Sequence, residues 1–139
     1  MSWRRGWARF RALHMAERGA PVEGSFEAGH VALQSGRTFR HMRLVYKTFG
    51  SLNADKSNVI LYPTSYSAQH HDIQFMVSEG GALDPSRYFI VIANLFGNGL
   101  SSSPSNTPWP DVGSRYPDVT CFDGELDKPL PNRLAMTMK

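Results

Sequence analysis

The 139-residue sequence contains a single cysteine, Cys121, so it has neither an intramolecular disulfide framework nor a zinc site built from several cysteines. It also has no apolar run of about 18 residues, the length that a membrane-spanning helix requires. These two absences fit a protein of a reducing compartment with no integral membrane segment, and we expect it in the cytoplasm. Hydrophobic residues still make up 41% of the chain, which is enough apolar material for a folded core.

Acidic residues are absent from the first 16 positions, which carry four arginines. Subtracting these four charges from the formal net charge of +3 leaves −1 for the rest of the chain, so no nucleic-acid partner is expected. Aromatic residues recur at helical spacing in this tail, at Trp3, Trp7, Phe10 and His14. The tail therefore resembles a mitochondrial presequence, which makes the mitochondrion the alternative location; a disordered extension, or a start of translation at Met15, is the simpler interpretation.

Glycine and proline punctuate the segment that follows the tail. Residues 19–29, with Pro21 and three glycines, predict a linker. Residues 30–34, the pair Ser35-Gly36 and the segment from Arg37 predict a β-hairpin, because glycine supplies the positive φ of a tight turn. Residues 42–49 alternate in polarity and predict an antiparallel strand at or near a sheet edge.

Two short apolar runs, residues 58–61 and 88–93, lack such alternation. Unbroken runs of β-branched and aromatic residues are typical of strands that a parallel sheet buries on both faces. Each run is followed by a loop rich in Ser, Gly, Asn and Pro, and ligands of open α/β sheets bind at the carboxyl ends of the strands. We therefore expect the functional site above Tyr62 and Ala93.

Helices are scarce for a sheet of this kind. The only helical candidate spans about residues 73–78 and is ended by Gly80-Gly81. Residues 94–117 form a long loop, in which Gly97-Asn98-Gly99 predicts a turn that folds the loop back over the sheet. Residues 119–122 could open a further strand, and the last stretch shows no clear period. One short helix is too little to cover the two faces of the predicted parallel sheet.

Four blocks of the sequence carry a family resemblance: VALQSGRTF from Val31, LVYKTFGSLNADKSNV from Leu44, ALDPSRYFIV from Ala82 and NLFGNGLSSSPSN from Asn94. They resemble, in this order, the N-terminal part of the homoserine O-acetyltransferase family of the α/β-hydrolase superfamily. The resemblance implies an α/β fold in which an antiparallel hairpin leads into a parallel sheet that is incomplete. It also implies a basic extension over residues 1–25, a partial α/β-hydrolase domain over 26–123 and a divergent tail over 124–139.

The resemblance implies acyl transfer, a reaction of methionine biosynthesis in this family. A serine takes the acyl group from acyl-CoA, the co-substrate, and passes it to a small hydroxyl acceptor such as homoserine; no bound cofactor is implied. The loop YPTSYSAQHHD from Tyr62 departs from the His-Ala-Leu-Thr-Gly type of loop that well-known members carry. This departure leaves the acceptor open and makes esterase-like hydrolysis the alternative.

The catalytic triad that the resemblance calls for is absent from this sequence. No Gly-x-Ser-x-Gly occurs, and the family pattern ends near Gly124, so nucleophile, acid and base are missing and we expect a truncated, inactive chain. By position, the backbone N–H of Thr64, with Ser65 beside it, would belong to the oxyanion hole. Six further residues are expected to line the cleft: Tyr66, His70, His71, Asn94, Phe96 and Asn98.

No metal site is predicted, because the pair His70-His71 with Asp72 has no identifiable third ligand. Cys121 lacks a Cys/His signature and is expected to be an ordinary buried thiol.

Two other hypotheses are consistent with the sequence. A partner polypeptide could complete the sheet through its exposed edge, or the chain could be a non-catalytic module that docks on a full-length homologue by that edge. The small-molecule substrate would then belong to the full-length relatives. The same edge predicts self-association and marginal stability.

Overall fold

A computed structural model of the protein describes residues 19–108 and 116–120. The N-terminal tail with its helical spacing of aromatic residues, Cys121 and the tail 124–139 lie outside these ranges. No helix within them is long and apolar enough to cross a bilayer.

Four strands form one mixed sheet in the order β1-β2-β4-β3. Their bounds, with those of the two short helices, are β1 Val22–Ala32, β2 Thr38–Phe49, β3 Val59–Pro63, α1 His70–Ile73, a 3₁₀ helix Gln74–Met76 and β4 Phe89–Ala93. The helical prediction over 73–78 is thus displaced: the α-helix begins at His70, and a 3₁₀ turn ends at Met76.

The predicted hairpin is confirmed. The N–H of Leu33 donates to the carbonyl of Arg37 at 2.8 Å, and Gly36 supplies a φ of +80° in the turn. The prediction of a linker over residues 19–29 is wrong, because β1 begins at Val22 and pairs antiparallel with β2 from there. Gly24 suits this strand because the Tyr46 ring lies across it: a Cβ at Gly24 would come within 2.6 Å of the Tyr46 hydroxyl.

The parallel pair predicted from the two apolar runs is also confirmed. β3 pairs in parallel with β4, and β4 pairs antiparallel with β2. All five residues of β4 are buried, as expected, whereas β3 is only half-buried and ends on an exposed Pro63. The expectation of a fully buried β3 is wrong, because β3 is the last strand in the described sheet and nothing described covers its outer edge.

Each face of the sheet carries its own hydrophobic cluster. On one face lie Ala28, Leu33, Phe39 and Met42 of the hairpin, with partly buried neighbours that include Phe96, Tyr116 and Val119. On the other face, Ile73 covers Ile90 and Ile92 of β4, with partly buried Phe49, Ile60, Tyr62 and Leu83 around them. The short helical segment after β3 therefore buries one face of the central strand.

The loop after β4 folds back onto β2, as the Gly97-Asn98-Gly99 turn predicts. The N–H of Gly97 donates to the carbonyl of Ser102, and the N–H of Ser102 donates to the carbonyl of Arg43. β4 ends opposite Tyr46, so the backbone of β2 beyond that point needs other partners. Two buried serines supply them: the Ser101 hydroxyl accepts the N–H of Val45, and the Ser102 hydroxyl accepts the N–H of Arg43, each at 2.9 Å. Residues 116–120 contain no strand, and the rest of the strand predicted over 119–122 lies outside the described ranges.

Candidate functional site

The carboxyl ends of β3 and β4 lie side by side, with Pro63 opposite Ala93. Thr64, the next residue after β3, joins the two loops that leave this edge. Its N–H donates to the carbonyl of Ala93 at 2.9 Å, and its hydroxyl accepts the N–H of Leu95 at 3.0 Å. Thr64 is buried and its backbone N–H is committed to the sheet.

Ser65 lies one residue further out and is exposed. Its carbonyl accepts the N–H of Ala68 at 3.0 Å, whereas its own N–H has no hydrogen-bond partner in residues 19–108 and 116–120. Of the two donors expected from the sequence, the N–H of Ser65 is therefore the one that an incoming oxygen could reach. The oxyanion hole itself stays a prediction.

Asn94 follows β4 and is fully buried. Its Oδ1 accepts the backbone N–H of His70 and the side-chain amide of Asn98, both at 3.0 Å. Its Nδ2 donates to the carbonyl of Val45 and to Nδ1 of His70, again at 3.0 Å. One amide thus connects β2, the start of α1 and the loop after β4, and every polar atom of its side chain is satisfied.

His70 opens α1 and is 5% exposed. Nδ1 faces the amide donor of Asn94, so Nδ1 holds the lone pair and the neutral ring carries its proton on Nε2. Nε2 lies 3.0 Å from Oε1 of Glu23, which accepts that proton in a hydrogen bond. Asn94 and Glu23 therefore select one tautomer of His70.

A salt-bridged pair extends this network on the same face of the sheet. Glu23 of β1 and Lys47 of β2 lie directly opposite each other, with Nζ 3.3 Å from Oε1. Lys47 also donates to the side chain of Gln74 at 3.0 Å. The hydrogen bond from His70, followed by that from Lys47, lowers the pKa of the Glu23 carboxyl from its ordinary value.

The lowered pKa of Glu23 predicts a pH dependence of stability. Glu23 binds its proton less readily in the folded than in the unfolded chain, so its contribution is present above the unfolded carboxyl pKa and is lost as pH falls through the lower folded value. In urea unfolding between about pH 6 and pH 3, Glu23→Gln should therefore reduce the acid-induced loss of unfolding free energy. Glu27→Gln, on the same strand but without a described ion pair, should leave that loss unchanged; equal changes in both variants would contradict the assignment.

The other residues predicted to line the cleft are spread over different surroundings. Tyr66 is 95% exposed, and His71 is exposed, with Nε2 3.4 Å from Asp72. Asn98 is half-buried and donates to the carbonyl of Ala68 at 3.0 Å. Phe96 packs against the hairpin cluster, on the face of the sheet opposite to Ile73. The structure thus brings His70, Asn94 and Asn98 together and leaves Phe96 apart from them.

Glu23, Lys47 and Gln74 contribute to the site but were not predicted from the sequence. Glu23 fell in the segment interpreted as a linker, and no local pattern connects it with a histidine 47 residues away. Within the described chain, no group of three His, Cys, Asp or Glu side chains could hold a metal ion.

No protein-family model matches the chain. A probable esterase of Corynebacterium glutamicum is 43% identical over 109 residues, which cover 75% of this chain and 31% of the relative. An ethyl acetate hydrolase of Pseudomonas veronii is 44% identical over 104 residues, covering 72% and 30%. A homoserine O-acetyltransferase of Thermobifida fusca is 32% identical over 110 residues, covering 66% and 28%. The chain therefore spans about a third of the length of the curated relatives it matches.

Solved structures show the same partial match. An acetylester hydrolase from Corynebacterium glutamicum superposes with a TM-score of 0.73 at 37% identity, over 84% of this chain and 34% of that one. A homoserine O-acetyltransferase from Bacillus anthracis superposes with a TM-score of 0.66 at 22% identity and supports the fold alone.

Proposed function

Because the chain is homologous to homoserine O-acetyltransferases and to esterases of the α/β-hydrolase superfamily, we propose that it supplies the oxyanion-binding side of an ester-cleaving site. The observation that carries the proposal is the backbone N–H of the exposed residue Ser65, which lacks a described hydrogen-bond partner at the carboxyl end of β3. A donor fixed at the point where negative charge develops is worth about 10²- to 10³-fold in rate.

The surroundings of Ser65 support this role, because they hold its loop from both ends. On the N-terminal side of Ser65, Thr64 is hydrogen-bonded to the backbone of Ala93 and Leu95. On its C-terminal side, the carbonyl of Ala68 accepts the side-chain amide of Asn98. A donor on such a loop needs little reorganisation when the oxyanion forms, which is the condition for electrostatic stabilisation of a transition state.

Hydrolysis of a small ester is favoured over acyl transfer by the degree of similarity. The esterase and the ethyl acetate hydrolase are 43% and 44% identical to the chain, against 32% for the acetyltransferase. Acyl transfer from acyl-CoA to a small hydroxyl compound is the second candidate, and it requires the same oxyanion donor.

The nucleophilic serine must come from polypeptide beyond these 139 residues, since they contain no Gly-x-Ser-x-Gly. The outer edge of β3 has no described neighbour and offers backbone groups on which such a polypeptide could pair. In the proposed reaction, the serine oxygen attacks the ester carbonyl while Ser65 N–H binds the developing oxyanion. The alcohol then leaves with a proton, and water releases the acid from the acyl-serine.

A complementation assay tests this proposal. The chain is combined with the unmatched two thirds of the Corynebacterium glutamicum esterase, and hydrolysis of p-nitrophenyl acetate is measured beside acetyl transfer from acetyl-CoA to homoserine. We expect hydrolysis only from the combination, and we expect the chain by itself to self-associate through β3 in sedimentation velocity until its complement is added. Transfer without hydrolysis would establish the second candidate. The absence of both activities would overturn the proposal.

Two substitutions at Ser65 make the test specific for the backbone donor. Ser65→Pro removes the N–H and should lower kcat of the complemented enzyme by about 10²- to 10³-fold. Ser65→Ala keeps the N–H, removes only the hydroxyl, and should leave kcat nearly unchanged. A loss in Ser65→Ala as large as that in Ser65→Pro would show that the hydroxyl, and not the N–H, is the group that matters.

A further inference from the structure

We propose that His70 is a positioning residue whose protonation state sets the conformation of the loop that carries the Ser65 N–H. Its role in catalysis rests on the proposed function, whereas the coupling between His70 and the loop is a property of this chain that can be measured without activity.

The first step is the fixed orientation of Asn94. Its Oδ1 accepts two donors, the backbone N–H of His70 and the side-chain amide of Asn98, and its Nδ2 donates to the carbonyl of Val45. Turning this amide over would place its NH₂ group against two donors and its oxygen against a carbonyl. The amide therefore cannot turn to accommodate a change at His70 without losing these bonds.

The second step is the conflict that protonation creates. A protonated imidazole carries a hydrogen on Nδ1 as well as on Nε2, so Nδ1–H would face the Nδ2 donor of Asn94 at 3.0 Å. The site is buried, and two opposed donors there forfeit a hydrogen bond that water does not readily replace. Protonation of His70 therefore favours movement of His70 away from Asn94.

The third step is the connection from His70 to Ser65, five residues earlier. The side chain of Gln69 donates to the carbonyl of Asn98 at 2.8 Å, and Asn98 donates in turn to the carbonyl of Ala68. The N–H of Ala68 donates to the carbonyl of Ser65. Movement of His70 thus pulls on the same short segment whose other end Thr64 fixes to the sheet.

Charged side chains near His70 partly offset the cost of two opposed donors at Nδ1. Glu23 of β1 attracts a charged imidazole, and Lys47 of β2, 3.3 Å from Glu23, weakens that attraction. From α1 itself, the ring of His71 lies 5.7 Å from that of His70, and Asp72 holds His71 at 3.4 Å. Glu23 accepts the Nε2–H, but it cannot supply the acceptor that an Nδ1–H would need.

The experiment is a pH titration of the isotope-labelled chain by NMR. Long-range ¹H–¹⁵N spectra report the protonation and tautomer of His70, and the backbone amides of Ser65 and Ala68 report the loop. We expect the neutral ring to be the Nε2–H tautomer and the two amides to shift with the same midpoint pH as the imidazole. A neutral Nδ1–H tautomer, or amides of Ser65 and Ala68 that do not follow His70, would overturn the inference.

Two variants shift the midpoint in opposite directions. Asn94→Asp replaces the donor facing Nδ1 by an acceptor and should raise the midpoint by about one pH unit or more. Glu23→Gln keeps an acceptor for Nε2–H without the charge and should lower the midpoint. The Ser65 amide should follow the imidazole in each variant, while Glu27→Gln, on the same strand as Glu23 but without a described ion pair, should leave both unchanged. A Ser65 transition that stays in place when that of His70 moves would contradict the coupling.

The complemented enzyme separates this inference from the proposed function. Coupled titration in a chain that yields no ester hydrolysis on complementation would overturn the proposed function and support the coupling. Hydrolysis in a chain whose loop ignores His70 would overturn the inference and support the proposed function.

Discussion

Replacement of Gly50 by alanine is expected to lower the free energy of unfolding by about 2–5 kcal/mol. Gly50 follows β2 directly and has a φ of +76°, which costs an L side chain roughly 1–2 kcal/mol. A Cβ there would also lie 2.5 Å from the carbonyl oxygen of Pro85 and still closer to that of Tyr88. Both atoms belong to the backbone just before β4, so relieving the collision requires a shift of that backbone or of the end of β2.

Gly36→Ala is the matched control for this substitution. Gly36 has a φ of +80°, close to that of Gly50, but a Cβ there would meet nothing within 4 Å. It should therefore cost only the conformational penalty, about 1–2 kcal/mol. Urea unfolding of both variants measures the difference, which isolates the collision with Pro85 and Tyr88. Equal losses of stability would show that the backbone entering β4 yields at little cost.

Asn94→Ala is expected to lower the free energy of unfolding by about 3–5 kcal/mol. The substitution removes all four hydrogen bonds of the Asn94 side chain. Val45 and Asn98 keep other partners, the backbone N–H of Asn94 and the carbonyl of Ala68 respectively. The N–H and Nδ1 of His70 lose theirs in a buried site, and each unsatisfied group costs about 1–3 kcal/mol.

Asn106→Ala provides the comparison for Asn94. The Asn106 amide also donates to backbone carbonyls, those of Gly99 at 2.9 Å and Ser101 at 3.0 Å, but Asn106 is exposed. Its Oδ1 accepts the N–H of Ser103, which keeps the Thr107 hydroxyl as a second acceptor at 3.3 Å, so we expect a smaller loss than for Asn94, about 1 kcal/mol. Hydrogen exchange should locate the effect: Asn94→Ala should increase exchange at Ala68 and Asp72, and Asn106→Ala should not. Similar losses in the two variants would mean that the buried network contributes little.

These two substitutions act at the two ends of the central strand. Gly50 lies against the segment that leads into β4, and Asn94 is the first residue after β4. Ala93 is the last residue of β4. Its carbonyl accepts the N–H of Thr64, and this bond fixes the position of the next residue, Ser65. Stability of the sheet and geometry of the candidate site therefore depend on the same five residues of β4.

Local patterns in the sequence were sufficient for part of this architecture. The unbroken apolar run before Ala93 predicted β4, and the pair Ser35-Gly36 predicted the hairpin turn; both are confirmed. The four sequence blocks predicted a resemblance to homoserine O-acetyltransferases and an α/β-hydrolase fold, which the relatives and solved structures confirm with esterases beside them. The sequence also predicted that Thr64 and Asn94 follow neighbouring strands.

Such local patterns did not predict contacts between residues that are far apart in the sequence. Residues 22–29 of β1 were interpreted as part of a linker, because their glycines were taken as loop residues; in the structure the Tyr46 ring covers Gly24. The same misreading concealed Glu23 from the site.

By itself, then, the sequence determined the hairpin turn at Ser35-Gly36 and the parallel pairing of the two apolar runs, because runs of apolar residues and turn glycines act over a few neighbouring positions. Only the tertiary structure decided that the N–H of Thr64 is committed to Ala93 while that of Ser65 has no described partner, and that Glu23 and Asn94 fix one tautomer of His70. The physical reason is that hydrogen bonds join atoms close in space, and the groups that meet at His70 come from positions 24 and 47 residues away in the chain.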